Sequence, residues 1–353
     1  MNSPMPEITV VISLYNKARC VKSTVDTVLN QTVNNFELIV VDDGSTDGSE
    51  KIVAEIADSR IKIIHQENAG VSAARNRGAA EASSDFIAFL DADDIWDADH
   101  LEALIALRRK FPDAGLYVTD HTESFYKFSN IARQRGIKLE TQMLLDFFRS
   151  SVLFNHFPVH TSCFAVKKST MLEVGGYNRA FNAFEDQEFY SRVAFKYPMT
   201  AFTLNGLSHY IAKYSELAKA NVADVSEAAL EKNAQYISND IHDNTSSNNG
   251  SFFIFVRPYL HSSPDLIAFA WIFQFTIAMR LISNGKKREA ILYLIRCYRF
   301  YKRIPRDKLF FIKKICWCLC ACLVPKIFMT PLKKLKISIS EILYNVKLSG
   351  AER

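Results

Sequence analysis

Three aspartates in residues 91–94 (DADD) are the side chains best placed to do chemistry, because they directly follow an apolar run that ends at Leu90. Carboxylates this close together repel one another and cost stability unless a cation neutralises them. Hard oxygen ligands of this kind suit Mg²⁺ or Mn²⁺, and such an ion can also bind a diphosphate. The segment therefore predicts a metal-diphosphate site. The structural alternative is a solvated acidic loop that caps a helix.

A second acidic cluster occupies residues 42–47 (DDGSTD) and follows another apolar run, residues 36–41. If the two runs are parallel strands of one sheet, the two clusters lie at the same edge of that sheet. A carboxylate at this edge can accept hydrogen bonds from a base N–H or a ribose hydroxyl, as acidic residues do in other α/β nucleotide sites. Taken alone, the cluster also fits a simple turn followed by a helix cap.

The first third of the chain alternates strand-like and helix-like segments that could position these clusters. The predicted strands are residues 8–14, 36–41, 61–65 and 85–90, and the predicted helices are one that ends near Gln31, residues 50–57 and residues 71–82. This βαβα order predicts an α/β fold with a doubly wound, parallel sheet, whose ligands collect at the carboxyl ends of the strands. A strand over 158–166, a turn at 175–177 and a helix over 186–195 are expected further on.

The charge divides the chain into two parts. Of its 353 residues, 48% are hydrophobic and 23% are charged, which is typical of a globular protein. Residues 252–353 hold 19 Lys and Arg against 5 Asp and Glu, a net charge of +14, whereas residues 1–251 are net acidic. Between them, residues 238–251 (SNDIHDNTSSNNGS) form a polar, low-complexity stretch. The predicted organisation is a domain over 1–237, a linker over 238–251 and a basic, amphipathic helical region over 252–353.

The cysteines and the N-terminus predict a cytoplasmic location. Four of the seven cysteines alternate within the apolar run 315–324 and the other three stand alone, which is not the paired spacing of a zinc site. We therefore expect reduced thiols. The first residues lack a basic segment followed by a long apolar stretch, so no signal peptide is expected.

Four motifs that occur in one order identify a family resemblance. They are VVISLYN at 10–16, VVDDGSTD at 40–47, NAGVSAARN at 68–76 and FLDADD at 89–94. Together they resemble the family 2 glycosyltransferases across about 90 residues, and the resemblance extends to about residue 215. It implies a type-A glycosyltransferase fold with a Rossmann-like mixed sheet, and sugar transfer that inverts the anomeric centre.

The resemblance implies roles for five residues of the nucleotide and metal site. Ser13 corresponds to the position where the first strand meets the nucleotide, and Asp43 to a carboxylate that reads the base. Arg75 corresponds to an arginine near the nucleotide and diphosphate, for which a fixed cationic fork is suitable, although a surface salt bridge is the alternative. Asp91 and Asp93 match the outer residues of the metal motif, so that Asp91 would contact both nucleotide and Mn²⁺ or Mg²⁺, and Asp93 is the better candidate for a direct ligand.

A later acidic pair supplies the candidate base. Glu185 and Asp186 match the family's later acidic motif, and we expect Asp186 to deprotonate the acceptor, with Glu185 as the lesser candidate and a carboxylate at a helix start as the alternative. The glutamine/arginine/tryptophan signature of processive synthases is missing after Asp186, which favours transfer of a single sugar. His209 could be a third metal ligand, but a lone histidine is more often structural.

The expected reaction is transfer from a nucleotide-sugar, with UDP as the commonest nucleotide in the family, to a saccharide or lipid-linked acceptor of surface-polysaccharide biosynthesis. A non-catalytic module that binds sugar-nucleotides or polysaccharides is the rival, and the presence of all these carboxylates argues against it. The basic region 252–353 would suit an anionic membrane surface, nucleic acid or oligomerisation. Its aromatic residues lie in apolar runs and the rest of the chain is acidic, so we expect peripheral binding to the inner membrane and no nucleic-acid partner.

Overall fold

The computed structural model describes residues 5–123, 126–134, 138–154, 158–181 and 185–210. The chain divides into two compact units, Met1–Phe269 and Ala270–Arg353, and all the described residues belong to the first unit. The predicted linker at 238–251 and basic region at 252–353 lie outside the described residues, so these boundaries stay predictions. Within the described ranges, no helix combines the length and the apolar character needed to cross a membrane.

All the described strands belong to one sheet. They are β1 (Ile8–Leu14), β2 (Phe36–Asp42), β3 (Ile61–His65), β4 (Phe86–Asp91), β5 (Ile95–Trp96), β6 (Leu116–Glu123), β7 (Tyr126–Lys127), β8 (Gln142–Asp146), β9 (Phe164–Lys167) and β10 (Met199–Tyr210). The helices are α1 (Val21–Leu29), α2 (Ser49–Ala54), α3 (Val71–Glu81), α4 (His100–Lys110), α5 (Phe128–Gln134), α6 (Phe147–Phe154), α7 (Lys168–Glu173) and α8 (Glu185–Lys196), with a short 3₁₀ turn at Thr161–Cys163.

The sheet is mixed. Its strand order is β3-β2-β1-β4-β9-β6-β10-β5, with β7 paired to β6 and β8 paired to β10. The strands β3, β2, β1 and β4 are parallel, whereas β9 is antiparallel to both β4 and β6. The predicted Rossmann-like, doubly wound mixed sheet is confirmed, and the four parallel strands are the four predicted for the first third of the chain.

The central strands form because they are apolar on both faces. Every residue of β4 from Phe86 to Leu90 is buried, and β1 is buried over almost its whole length, as expected for parallel strands covered by helices on both sides. Strands β1 and β3 begin and end where the sequence predicts. The predicted strand over 158–166 is wrong in extent, because residues 161–163 form a 3₁₀ turn and only Phe164–Lys167 pairs with the sheet.

The parallel register brings the two acidic clusters together. Leu14 lies beside Asp42 and Ser13 lies beside Asp91, so the strands β1, β2 and β4 end side by side. His65, the last residue of β3, lies beside Asp42 on the other side. The prediction that both acidic clusters share one edge of the sheet is therefore confirmed. We call this edge the acidic edge.

Strand β10 reaches the acidic edge because of a bulge. Its pairing with β6 shifts between Thr203 and Ser208, and Gly206 within that shift has φ of +68°, a conformation that glycine adopts without strain. Beyond the bulge, Ser208 and His209 pair with β5, which directly follows the aspartates of residues 91–94. The bulge therefore carries the end of β10 to the rim of the site.

Helix α3 packs directly on β1 at Gly78, and this contact yields a prediction. A Cβ at position 78 would overlap the side chain of Val11, which is buried in β1. We expect Gly78→Ala to lower the free energy of unfolding, because overpacking costs about 1–3 kcal/mol and the better helix propensity of alanine returns only about 0.5–1 kcal/mol. Urea denaturation of the full-length protein measures this change.

The matched control is Gly78→Ala in a Val11→Ala background, where the missing methyl groups leave room for the new Cβ. There the second substitution should be neutral or stabilising, because only the helix propensity changes. An equal loss of stability in both backgrounds would show that the contact between α3 and β1 is not the cause.

Candidate active site

Two loops of the acidic edge are tied to each other. Asn16, after β1, has φ of +52°, and its Oδ1 accepts a hydrogen bond of 2.8 Å from the backbone N–H of Thr46. Its own N–H donates to Ser45 Oγ at 3.1 Å, and Asp47 Oδ2 accepts from the N–H of Ala18 at 2.9 Å. The loops after β1 and β2 therefore hold one another in place.

Asp43 anchors a third loop. Its carboxylate is buried, and Oδ1 accepts from Gln66 Nε2 at 2.6 Å and from the N–H of Ala69 at 2.9 Å. Oδ2 accepts from the N–H of Gly70 at 2.9 Å. The predicted base-reading residue thus fixes the start of α3. Its Oδ1 already accepts two hydrogen bonds, whereas Oδ2 accepts one and keeps a lone pair for a ligand.

Arg75 bridges β4 and α8. Its guanidinium, 5% exposed, donates at 2.9 Å to Asp91 Oδ1 and at 2.9 Å to Glu185 Oε1, and it lies 5.1 Å from the ring centre of Tyr177. Burial by itself would lower the pKa of Arg75, but Asp91, Tyr177 and Glu185 together raise it above its ordinary value. The surface salt bridge considered for Arg75 is excluded, because the side chain is buried.

The acidic pair lies in the first turn of α8. Burial raises the pKa of both Glu185 and Asp186, while the positive charge of Arg75 opposes the increase in each. Both residues are partly exposed. The carboxylate of Glu185 is hydrogen-bonded to Arg75, whereas Asp186 Oδ1 accepts from the N–H of Gln187 at 2.7 Å. Asp186 is therefore the residue of the pair whose carboxylate is not hydrogen-bonded to Arg75.

The three aspartates of residues 91–94 have different partners. Asp93 Oδ2 accepts from Lys17 Nζ at 2.5 Å. Asp94 is almost fully buried, accepts from Ser162 Oγ at 2.5 Å and lies 4.0 Å from His160 Nδ1. Burial raises the pKa of Asp94 to about 7, and the charge of His160 opposes this increase.

Asp91, Asp94 and His160 form a group that could hold a metal ion. One ligand atom from each lies within 4.8 Å of the others. Burial by itself would raise the pKa of Asp91, but Arg75 and His160 lower it, so this carboxylate is ionised and ready to bind a cation. Two carboxylates and an imidazole fit Mn²⁺ or Mg²⁺ chemically, with the nitrogen ligand favouring Mn²⁺.

This group differs from the predicted pair of ligands. Asp91 belongs to it, while Asp93 is paired with Lys17 instead, so ligation by Asp93 stays a prediction. Asp94 was visible in the sequence as part of the acidic segment. His160 carried no sequence signal, because it lies far along the chain, just before the 3₁₀ turn that precedes β9.

His209 is held in a different place. Its Nε2 lies 2.8 Å from Asp97 Oδ1 and its Nδ1 lies 3.2 Å from Thr122 Oγ1. Both ring nitrogens are therefore used, which favours the structural alternative over metal ligation. Asp42, Glu50 and His65 form a second group whose ligand atoms lie within 4.8 Å of one another. The side chains of His65 and Glu50 are 55% and 39% exposed, so this second group is more open to solvent than Asp91, Asp94 and His160.

The remaining predicted residue, Ser13, is partly exposed on β1 beside Asp91. Tyr15, which sequence reasoning missed, is 47% exposed and follows β1 at the acidic edge. An exposed aromatic ring is able to stack on a base. The acidic edge thus brings together Ser13, Tyr15, Asp43, the acidic segment and the Arg75 bridge to α8.

Sequence comparisons agree with this geometry. Residues 9–175 match the family model described as Glycosyl transferase family 2. The chain is 37% identical over 122 residues to the putative glycosyltransferase EpsH of Bacillus subtilis, covering 34% of this chain and 35% of EpsH. It is 42% identical over 104 residues to the UDP-Glc:alpha-D-GlcNAc-diphosphoundecaprenol beta-1,3-glucosyltransferase WfgD of Escherichia coli, covering 29% of this chain and 41% of WfgD. The chain therefore spans well under half the length of these relatives.

The fold has a counterpart among solved structures. The crystal structure of S. aureus TarS 1–349 superimposes with a TM-score of 0.51 at 15% identity, covering 84% of this chain and 88% of that one. A likeness at this identity speaks for the fold alone, and the type-A glycosyltransferase fold expected from the motifs is confirmed. Residues 9–175, which contain all four motifs, match the Glycosyl transferase family 2 model, so the predicted resemblance to this family is confirmed over that part of the chain.

Proposed function

We propose that this chain transfers a single sugar from a nucleotide-sugar, through a metal-assisted and inverting reaction, to an acceptor hydroxyl. The observation that carries the proposal is the position of Asp91. It belongs to the group that could hold a metal with Asp94 and His160, and Arg75 joins it to Glu185, the neighbour of Asp186. The leaving diphosphate and the candidate base would thus be held by one connected set of side chains.

The donor would bind along the acidic edge. Asp91, Asp94 and His160 would hold Mn²⁺ or Mg²⁺, with Asp93 as a further carboxylate, and the ion would neutralise charge on the departing diphosphate. Ser13, Tyr15 and Asp43 lie at the ends of β1 and β2, where a nucleoside would contact them. The loop that Asp43 holds rigid would present its backbone at the start of α3 to the same ligand.

Asp186 would be the base. Its carboxylate would take the acceptor hydroxyl proton as the oxygen forms a bond to the anomeric carbon, while the bond from that carbon to the diphosphate oxygen breaks on the opposite face. That geometry inverts the anomeric centre. Glu185 would position Arg75, because its carboxylate is already bonded to the guanidinium.

The donor and acceptor classes come from the relatives. WfgD is named for UDP-Glc and for an acceptor on diphosphoundecaprenol, so we propose a UDP-sugar donor and a lipid-linked saccharide acceptor for surface-polysaccharide synthesis. Such an acceptor lies at a membrane surface, which suits peripheral attachment to the inner membrane. The non-catalytic alternative, a module that only binds sugar-nucleotides, is an outcome of the first experiment.

The first prediction is that the purified full-length protein hydrolyses a UDP-sugar slowly in Mn²⁺. Chelation with EDTA should lower the rate at least about 10²-fold, because a leaving-group stabiliser is lost, and added Mn²⁺ should restore it. The measurement is UDP release across a panel of nucleotide-sugars. Turnover unchanged by EDTA would contradict the metal, and binding without hydrolysis of any donor would favour the non-catalytic module.

The second prediction is that Asp186→Asn lowers kcat by roughly 10²–10⁴-fold, the usual contribution of a general base, while the affinity for the donor stays nearly unchanged. Steady-state transfer kinetics and calorimetric titration with UDP measure the two effects. Asp113→Asn is the matched control, since Asp113 is exposed in the turn between α4 and β6 and should behave as wild type. A collapse of donor binding would place Asp186 in the nucleotide site instead.

The same assignment fixes the sign of the pH dependence. Asp186 must be ionised to accept a proton, and its pKa is raised above the ordinary value of 3.8 by burial. The wild-type kcat should therefore fall as the pH decreases, with a midpoint above 3.8 while circular dichroism shows a folded protein. A rate that stays constant to pH 4 would contradict the assignment.

The third prediction concerns the basic region 252–353 and rests on its sequence. With a net charge of +14, and about 1 kcal/mol of attraction for each Lys or Arg near an anionic surface, the full-length protein should sediment with phosphatidylserine vesicles at low salt and be released by high salt. A chain that ends near Asn244 should stay in the supernatant. If the full-length protein does not sediment with the vesicles at low salt, oligomerisation becomes the favoured role of this region.

A further inference from the structure

Lys17 contacts the acidic segment from a neighbouring loop. Its Nζ lies 2.5 Å from Asp93 Oδ2, and the two side chains are 21% and 13% exposed. Lys17 follows β1, whereas Asp93 follows β4, so the ion pair joins two loops of the acidic edge. Lys17 is more exposed than Arg75, so water can reach its ammonium and the ammonium can exchange partners.

The backbone of Lys17 is fixed. Asn16, directly before it, is held in the left-handed conformation by its hydrogen bonds to the loop after β2. The carbonyl of Lys17 accepts from the N–H groups of Cys20 and Val21 at 3.0 Å and 2.9 Å, at the start of α1. The four-carbon side chain is the flexible part of Lys17, so its ammonium can change position while the backbone stays in place.

The ammonium is charged at neutral pH. Burial by itself would lower the pKa of Lys17, but Asp93 raises it above its ordinary value through charge and hydrogen bonding. The outer aspartates of the motif therefore each have a cation from the chain, Arg75 on Asp91 and Lys17 on Asp93. These two cations differ in freedom, because Arg75 is buried and bonded at both ends while Lys17 has a single partner among the described carboxylates.

We infer that Lys17 is a diphosphate-binding residue that neutralises Asp93 until a metal–diphosphate ligand arrives and then moves its ammonium from Asp93 to a diphosphate oxygen. This inference rests on the proposed function. A divalent cation beside Asp91 and Asp94 takes over the neutralisation of the acidic segment, which weakens the hold of Asp93 on Lys17. The diphosphate brings new negative charge to the same edge, and an ammonium is a common partner for phosphate.

The family resemblance gives Arg75 a role near the nucleotide and diphosphate. In this inference, Arg75 and Lys17 share that role. The guanidinium of Arg75 donates hydrogen bonds to Asp91 and Glu185, and it therefore positions Asp91, Asp94 and His160 relative to α8. Lys17 would provide the direct contact with the diphosphate. A purely structural ion pair would instead stabilise the loop and leave ligand binding unchanged once the protein is folded.

The test uses binding measurements whose predicted changes have opposite signs. Lys17→Met in the full-length protein should bind Mn²⁺ alone several-fold more tightly, because Asp93 loses its competing cation. It should bind UDP in the presence of Mn²⁺ roughly 10- to 100-fold more weakly, the loss expected for a charged hydrogen bond. Electron paramagnetic resonance of free Mn²⁺ measures the first and isothermal titration calorimetry the second.

The matched control is Lys22→Met. Lys22 lies on α1, is 65% exposed and pairs with Asp26 one turn away, so both affinities should equal those of wild type. Lys17→Arg keeps the charge and should recover most of the UDP affinity. This pattern of loss, gain and recovery is not expected from a residue that only stabilises a loop.

Two results would overturn the inference. One is UDP affinity for Lys17→Met within twofold of wild type, and the other is a parallel loss of Mn²⁺ and UDP affinity with a lower melting temperature. Failure of the proposed function gives a different result, since wild-type protein would then bind none of UDP, GDP, CDP and dTDP with Mn²⁺. That outcome would contradict both the proposed function and the inference. Equal UDP binding by wild type and Lys17→Met would contradict the inference alone.

Discussion

The buried guanidinium of Arg75 is the interaction on which the rest of the site depends. A buried charge is tolerated only when it is paired and hydrogen-bonded, and Arg75 achieves this with Asp91 on one side and Glu185 on the other. Removing either carboxylate would leave Arg75 with a single charged partner and one of its guanidinium nitrogens without its hydrogen-bond acceptor beside Tyr177. Arg75 meets both carboxylates only when β4, α3 and α8 are in their native positions, so this pairing also fixes the distance between Asp91 and the acidic pair of α8.

The acidic edge contains several carboxylates close together, and Asp43, Asp93 and Asp94 each have different partners. Asp43 is satisfied by backbone N–H groups and a glutamine amide, which do not titrate, so it acts as a permanent loop anchor. Asp94 is held by Ser162 and His160, and its burial favours the protonated form until a cation is near. Asp93 forms an ion pair with the partly exposed Lys17. The partners of Asp43 do not titrate and hold the loops in place. The ammonium of Lys17 can leave Asp93, which would then be available to a charged ligand.

Glu185 and Asp186 are neighbouring carboxylates with different partners, and this difference underlies the different roles proposed for them. Both lie in the first turn of α8, and burial raises the pKa of both. Only Glu185 is committed to Arg75, so its oxygens are not free to accept a proton without weakening the bridge. Asp186 has no bond to Arg75 and a raised proton affinity, which suits the proposed role of a base. The two carboxylates have different partners because successive residues of a helix point about 100° apart.

The sequence by itself determined the parallel half of the sheet and the location of the acidic edge. Apolar, β-branched runs of strand length favour buried strands, and the carboxyl ends of neighbouring parallel strands lie at one edge. The acidic clusters of Asp43 and Asp91 could therefore be placed together from local patterns, while Ser13 was added by the family resemblance. Only the tertiary structure decided that β9 enters antiparallel between β4 and β6, that His160 meets Asp91 and Asp94, and that Lys17 pairs with Asp93. These contacts join segments far apart in the chain, and loop geometry and burial set them, neither of which leaves a periodic signal in the sequence.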